Sequence, residues 1–592
     1  MKNQLFIQLK ELISEKKRIK ILFWVLAILL GVLQAWANRY SISTADGISY
    51  LDIGDAYMRG DWQTAINGYW SPLYSWILGI TFFILKPSAY WEFPLVNLVN
   101  FTIYLGALVS FEFWLGKLLE YQNKITLDSQ FKSVQIPIWV WLVLGYTLFL
   151  WSSLHWITVR SNTPDMIVAA LVYLASGIIL HISTKTASWL NVIALGAVLG
   201  LAYLAKAVMF PLSFIFLAVA MLAMGNLRQV LPRIMVALLV FTLVTTPFIT
   251  ALSLSKGHLT FGETGKLNYA WSVNPGSHII PDVHWQGEPP GYGTPKHPTR
   301  QILGEPKVFE FATPVGGTYP PWTDPSYWYE GIAPPLAVDK QLKVIAKNLM
   351  AYNYLFLGSL VFGYLILVGV GGKFRSSLQG LAKTWHLLVP ALAGLGVYLL
   401  AKTPPSTRLI APFIVLLFAG TFLSICLSNS QKLKRLIALA VVVIFLIVSY
   451  RLSYDAVKDV AILWRKLEHT HWQIANSLKQ LGIQPGNQVA IAVIDETGTD
   501  VHTFWARLAR VNIIAEIHAD DSVLTENSPL RFKVFKMIEA TGSRAIVVGV
   551  RQSKLRNSLS ETGWQRLGKS DFYVYFLEQS VTNLNLLNLN RL

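Results

Sequence analysis

The chain has 592 residues, 53% of them hydrophobic and only 14% charged, and its mean hydropathy is +0.44. A soluble fold of this length has too little interior to hide so much apolar surface, and the apolar residues fall in blocks of roughly 18–22, the length that crosses a bilayer core. The formal charge of +17 sits mostly in short stretches between those blocks, which argues for membrane topology and against nucleic-acid binding; no nucleic-acid motif accompanies it. The single cysteine, Cys426, rules out an intrachain disulfide and a thiolate metal site.

The first twenty residues carry Lys2, Lys10, Lys16, Lys17, Arg18 and Lys20, and no small-residue cleavage site follows the next apolar block. This predicts a cytoplasmic N-terminus over 1–20 and a retained first helix at Ile21–Ala37. Pro72–Leu85 is too short for an ordinary span and reads as an interfacial or re-entrant helix. With that block kept on one side, spans follow at about 94–115, 136–154, 166–182, 188–204, 208–224, 234–252, 351–371, 385–401, 408–427 and 435–450. The inner loops then hold Lys117, Lys124 and Lys132, Lys185, Arg228 and Arg233, Lys373, Arg375 and Lys383, and Lys432, Lys434 and Arg435, as the positive-inside rule requires. The expectation is an all-α polytopic membrane domain over 21–451 with about eleven transmembrane helices. External loops are expected at 38–91 and 253–350, and an external tail over 452–592.

The tail reads as a small α/β domain. Trp464–Leu481 is helix-like, and Gln488–Ile494 is a buried-strand pattern after a Pro-Gly turn. Phe504–Arg510, Ile513–Ile517, Leu530–Thr541, Ala545–Val550 and Phe572–Leu577 continue the alternation. It holds no phosphate loop or Walker motif. The 253–350 loop is rich in Gly, Pro and aromatics, and its aromatic content argues against disorder.

Charged residues are sparse within the spans and gather at their outer ends. Asp46 follows the first helix and precedes a helix-like run, so it reads either as a helix cap or as a general base at membrane level. Asp52 and Asp55 share a face at i, i+3. Asp165, after Thr163-Pro164, suits the first turn of a helix and equally suits a second acid in a cleft. Lys206 and Arg408 are cations at outer turns, against the positive-inside pattern; they fit an anionic headgroup or phosphate, or simple snorkelling. His258, His278, His284 and His297, with Asp282 and Glu288, match no metal-ligand spacing.

In order, Asp46-Gly-Ile-Ser-Tyr50 opens the first external loop, Ser71-Pro72-Leu73-Tyr74 opens the interfacial helix, Thr163-Pro164-Asp165 starts a span, and Gly200-Leu-Ala-Tyr-Leu-Ala-Lys206 ends one. Over roughly residues 20–250 this order resembles the GT-C glycosyltransferases. The nearest type is family 39, which includes bacterial lipid-A aminoarabinose transferases and protein O-mannosyltransferases. The resemblance implies transfer of a sugar from a polyprenyl-phosphate donor to a lipid, glycan or protein acceptor on the external face of the membrane; the scarcity of cysteine and the lack of a eukaryotic-type motif suggest a bacterial plasma membrane. It implies Asp46 and Asp165 as catalytic acids and Lys206, Arg160 and Arg408 as donor-phosphate contacts. Tyr50, Asp52, Asp55, Tyr69 and Trp70 are then acceptor or sugar contacts. Many members carry another acid beside the first. Here Gly47 and Ile48 follow Asp46, so no metal ligand is assigned, and a divalent cation would have to use Asp52 or Asp55. A single base with direct displacement would invert the anomeric centre. The alternative class is a transporter or flippase of a lipid-linked substrate, which usually shows mid-membrane charges and inverted repeats, neither of them evident here.

Overall fold

The computed structural model describes the chain apart from residues 1, 128–136, 185–187, 226, 274–298, 312–316, 321–324, 326–334, 372–373, 402–405, 426–430, 466–468, 495–502, 519–520, 527, 551–552 and 578–592. It divides into two compact units. The first comprises Met1–Asn38, Asn97–Asn274 and Pro335–Lys466; the second comprises Arg39–Val96, Pro275–Pro334 and Leu467–Leu592.

The first unit is helical. Among the described residues, seven helices are long and apolar enough to cross a membrane: Glu15–Ala37, Glu92–Ile125, Ile138–Ile157, Asp165–Thr184, Val230–Lys256, Val338–Gly369 and Gln431–Trp464. An eighth is formed if the bent pair Phe374–Lys383 and Trp385–Leu400 counts as one. Trp189–Ala205, Met209–Met224 and Thr407–Leu423 are apolar but shorter. Each of the eleven apolar blocks expected from hydropathy overlaps one of these segments, of which seven, or eight with the bent pair, reach spanning length; the chain is a multi-pass membrane protein.

Several helices outrun their apolar cores. The first begins at Lys2 rather than Ile21, because Lys and Glu are good helix formers and a charged prefix need not end a helix. The last runs on to Trp464 rather than stopping at 450. The helix from Ile138 loosens to π geometry at Trp151–Ile157 and ends at Thr158 with φ 69°. That is an unusual backbone for a β-branched residue.

In the second unit, Ala45–Arg59 packs on Pro72–Leu85, whose bounds match the expected interfacial helix. Their backbones touch at two glycines. A Cβ on Gly79 would lie 2.6 Å from the Gly54 carbonyl oxygen, and one on Gly54 would lie 2.8 Å from that of Ser75, so only glycine fits either position. The unit also holds a seven-stranded sheet of order β1-β2-β4-β3-β5-β7-β6. The strands are β1 Thr299–Leu303, β2 Lys307–Phe311, β3 Gln488–Val493, β4 Asn512–His518, β5 Ala545–Gly549, β6 Gln565–Arg566 and β7 Phe572–Phe576. The central β3 is parallel to β4 and β5. Its buried run Val489–Val493 is the apolar pattern that parallel strands need. The outer strands are antiparallel. The helices Thr470–Gln480, Trp505–Ala509, Pro529–Ala540 and Ser553–Glu561 complete the α/β layer. The β1–β2 hairpin comes from the long loop, which the sequence left without strands; β2 joins the sheet edge against β4.

Candidate functional site

Three helix ends meet around Asp165 in the first unit. Asp165 is the first residue of its helix, directly after Thr163-Pro164, and its carboxyl accepts a bond from Thr163 Oγ1 at 2.8 Å. Lys206, the residue that caps the C-terminal end of Trp189–Ala205, donates through Nζ to Asp165 Oδ1 at 2.5 Å. Arg408, second residue of Thr407–Leu423, places Nε 3.4 Å from Asp165 Oδ2. The three residues that the sequence picked out separately are thus one cluster. Its carboxylate is sealed, with 2% of the side chain exposed, whereas Lys206 and Arg408 keep 24% and 29% exposed. Two cations against one buried anion leave a net positive charge presented outward. An arginine and a lysine so held can take up an oxyanion such as a phosphate. Asp165, which the sequence offered as a catalytic acid, is the shared partner of both cations.

Arg160 lies elsewhere in the same unit. It is exposed, and its electrostatic partner is Asp459. Asp459 accepts a bond from Asn38 Nδ2 at 3.1 Å, and one turn earlier Asp455 pairs with His155 Nδ1 at 2.6 Å. None of these four partners stood out in the sequence, since each is a single polar residue whose partner lies far along the chain or across the bundle.

The second unit holds the remaining candidates. Asp46 is half-buried in the first turn of Ala45–Arg59, where a carboxylate complements the helix dipole. The N-cap is Thr44, so Asp46 is not the cap that the sequence allowed. Tyr50, one turn on, packs against Trp70 at a tilt of 60° with ring centroids 5.3 Å apart, and Trp70 meets Tyr69 at 4.4 Å. The Asn67 carboxamide oxygen accepts the backbone N–H groups of Tyr69 and Trp70, both at 2.9 Å, which fixes that turn. The three aromatics form one patch. Tyr69 and Trp70 remain half-exposed, and amphipathic rings of this kind stack on sugars.

Asp52 and Asp55 do share a helix face, but that face is occupied. Arg507 ion-pairs with Asp52 Oδ1 and Asp55 Oδ2, each at 2.7 Å, and with Glu92 Oε1 at 2.6 Å. Arg510 reaches Asp55 at 3.0 Å and Glu92 at 2.8 Å. Thr318 adds two bonds to Asp52, from its N–H at 2.7 Å and its hydroxyl at 3.0 Å. Burial pushes the Asp52 carboxyl above its usual range, against the opposing pull of Arg507 and Thr318. The three carboxylates hold the Arg507 guanidinium charged, raising it further still despite its burial. Arg507, Arg510, Glu92 and Thr318 escaped the sequence reading. The i, i+3 spacing of Arg507 and Arg510 was the one available signal.

His258 bonds to the Lys256 carbonyl at 3.1 Å and faces Glu263 at 3.4 Å. His278, His284, His297, Asp282 and Glu288 lie outside the described residues. Among the described residues no three His, Cys, Asp or Glu side chains converge as a metal site.

The chain matches no protein-family model and no curated protein. Among solved structures it is similar to apo ArnT from Cupriavidus metallidurans, at 14% identity over 95% of this chain and 98% of that one, TM-score 0.40. The same protein bound to undecaprenyl phosphate gives 13% identity, 94% and 97% coverage and a TM-score of 0.39. The apo oligosaccharyltransferase of Archaeoglobus fulgidus gives 12% identity, 89% and 69% coverage and a TM-score of 0.43. These are remote likenesses, and the functional reading rests on the residues of this chain.

Proposed function

We propose that the protein is a membrane glycosyltransferase that moves a sugar from a polyprenyl-phosphate-linked donor to an acceptor on the external face of the membrane, with inversion. The observation that carries this reading is the Asp165–Lys206–Arg408 cluster: two cations at the ends of apolar helices, fixed by a sealed carboxylate and partly open. In the reaction the bond between the sugar and the carrier phosphate breaks, and negative charge grows on the phosphate oxygen that leaves. Cations already in place stabilise that charge without reorganising. The acceptor hydroxyl or amine must lose a proton as it attacks. Asp46 is the base assigned to this step by the sequence resemblance, and the Tyr50–Tyr69–Trp70 patch is assigned to the sugar or acceptor. Asp52 and Asp55, held by Arg507, are not assigned to substrate.

The test is transfer of labelled sugar from a panel of polyprenyl-phosphate sugars in membranes bearing wild type, Asp46→Asn or Lys206→Gln. Label should leave the lipid only with wild type. An Asp46→Asn protein as active as wild type removes the base assignment. Movement of label across sealed vesicles without covalent change assigns the chain to transport instead.

A further inference from the structure

A cavity of about 740 Å³ lies in the first unit among Ile138–Ile157, Val338–Gly369, Thr407–Leu423 and Gln431–Trp464. Its volume falls in the roughly 300–1,000 Å³ range of sites for small organic ligands. Leu148, Leu360, Phe418 and Val441 are typical of its lining, which is apolar nearly throughout. The exception is one end. Along Gln431–Trp464 the lining finishes at Tyr450 and Arg451, and along Ile138–Ile157 it finishes at Trp151. One turn further on, His155 and Asp455 meet at 2.6 Å and close the two helices together. Beyond Arg451, which is exposed, Tyr454 is flanked by two cations: the Arg451 guanidinium lies 5.5 Å and the Lys458 ammonium 4.4 Å from the ring centroid. The acids on this stretch are already taken, Asp455 by His155 and Asp459 by Asn38. The cavity is thus an apolar channel between membrane-crossing helices, with an aromatic and cationic rim where a polar head would sit.

We propose that this cavity binds an anionic glycerophospholipid of the surrounding bilayer, with a hydrocarbon chain between the four helices and the phosphate beside Arg451 and Lys458. None of Asp165, Lys206 and Arg408 lines the cavity, so its lining is separate from that cluster. A free anion would gain nothing from the apolar walls, and a peptide would leave its backbone unpaired there.

The test uses the full chain in phosphatidylcholine vesicles with a trace of phosphatidylglycerol carrying a photoactivatable diazirine in one chain, and maps the labelled peptides. Label should concentrate in 355–367 and 436–451. Gly363 lines the cavity, and a Cβ there would meet no atom within 4 Å, so Gly363→Phe fills the space without disturbing the backbone. It should cut labelling of those peptides about tenfold. The Arg451→Gln, Lys458→Gln pair should bring phosphatidylglycerol labelling down to that of a phosphatidylcholine probe. Labelling of Gly363→Phe equal to wild type overturns the site, and equal labelling of wild type by both probes overturns the role of the cations. Displacement of the label by polyprenyl phosphate at much lower concentration than by phosphatidylglycerol overturns the choice of occupant. None of these readouts depends on sugar transfer.

Discussion

The two charged clusters of this protein use the same residue types to opposite ends. Around Asp165, one sealed carboxylate holds two cations that stay about a quarter exposed. Around Arg507, three carboxylates converge on a guanidinium with only 4% of its side chain exposed, and Glu92 is fully buried. The first arrangement leaves charge to offer a ligand. The second turns its charge inward: Asp52, Glu92 and Arg507 are each at most 4% exposed, with Asp55 and Arg510 at the open rim, and the desolvation is recovered only inside the network. Exposure of the excess charge, rather than the count of charged residues, separates a binding cluster from a structural clamp.

That contrast breaks most readily at Arg507. Arg507→Leu takes the buried cation from Asp52 and Glu92, leaving Arg510 to Asp55 and Glu92, and should cost about 3–5 kcal/mol, seen as a large drop in melting temperature and faster hydrogen exchange through β4. A melting temperature unchanged from wild type would erase the distinction. Next in size, Lys206→Ala should lower sugar transfer by about 10²–10³-fold, the range for losing one donor to a developing oxyanion. Its effect on melting should be much smaller than that of Arg507→Leu, because Asp165 keeps Arg408 and Thr163. If melting falls as far as transfer does, the open cluster is a clamp as well.

Gly79→Ala probes whether the Ala45–Arg59 helix needs its tight seat. It should cost about 1–3 kcal/mol by overpacking, read as a lower melting temperature. A neutral result would mean that the two helices can part without penalty. The smallest effect concerns pH. Asp52 has a folded-state value raised above its ordinary 3.8. Its contribution to stability is therefore full below 3.8 and is lost as pH rises through the raised value. Asp52→Asn should flatten the fall in melting temperature over that window, and an unchanged slope would show that Asp52 does not titrate there.

Much of this was legible in the sequence, and the reason is physical. Spans announce themselves because lipid demands long apolar runs, and Pro72–Leu85 stood apart by length alone. Lys206 and Arg408 stood out because they defy the rule that puts positive charge inside. The structure brings both to Asp165, two hundred positions of sequence apart from each other though they are. The clamp was not legible, because Arg507 lies 455 residues from Asp52 and 415 from Glu92, and nothing local marks such a pair. The β1–β2 hairpin was hidden for the same reason: β2 finds its register on β4, far along the chain, and five residues of alternating pattern say little without that partner. Helix ends were misjudged where charged residues carry a helix past its apolar core, as at Lys2 and Trp464.

The sheet also has a history in time. Its edge hairpin, residues 299–311, is made well before β4 at 512–518, and so are Asp52 and Glu92 before Arg507. At roughly 5–20 residues per second the nascent chain waits on the order of tens of seconds with a bare strand edge and three acids without their arginine. A bare edge invites pairing with the wrong neighbour. A chain released before Arg507 never leaves that state, so premature termination anywhere upstream of it should be read out by quality control as a failure of residues made at the very beginning.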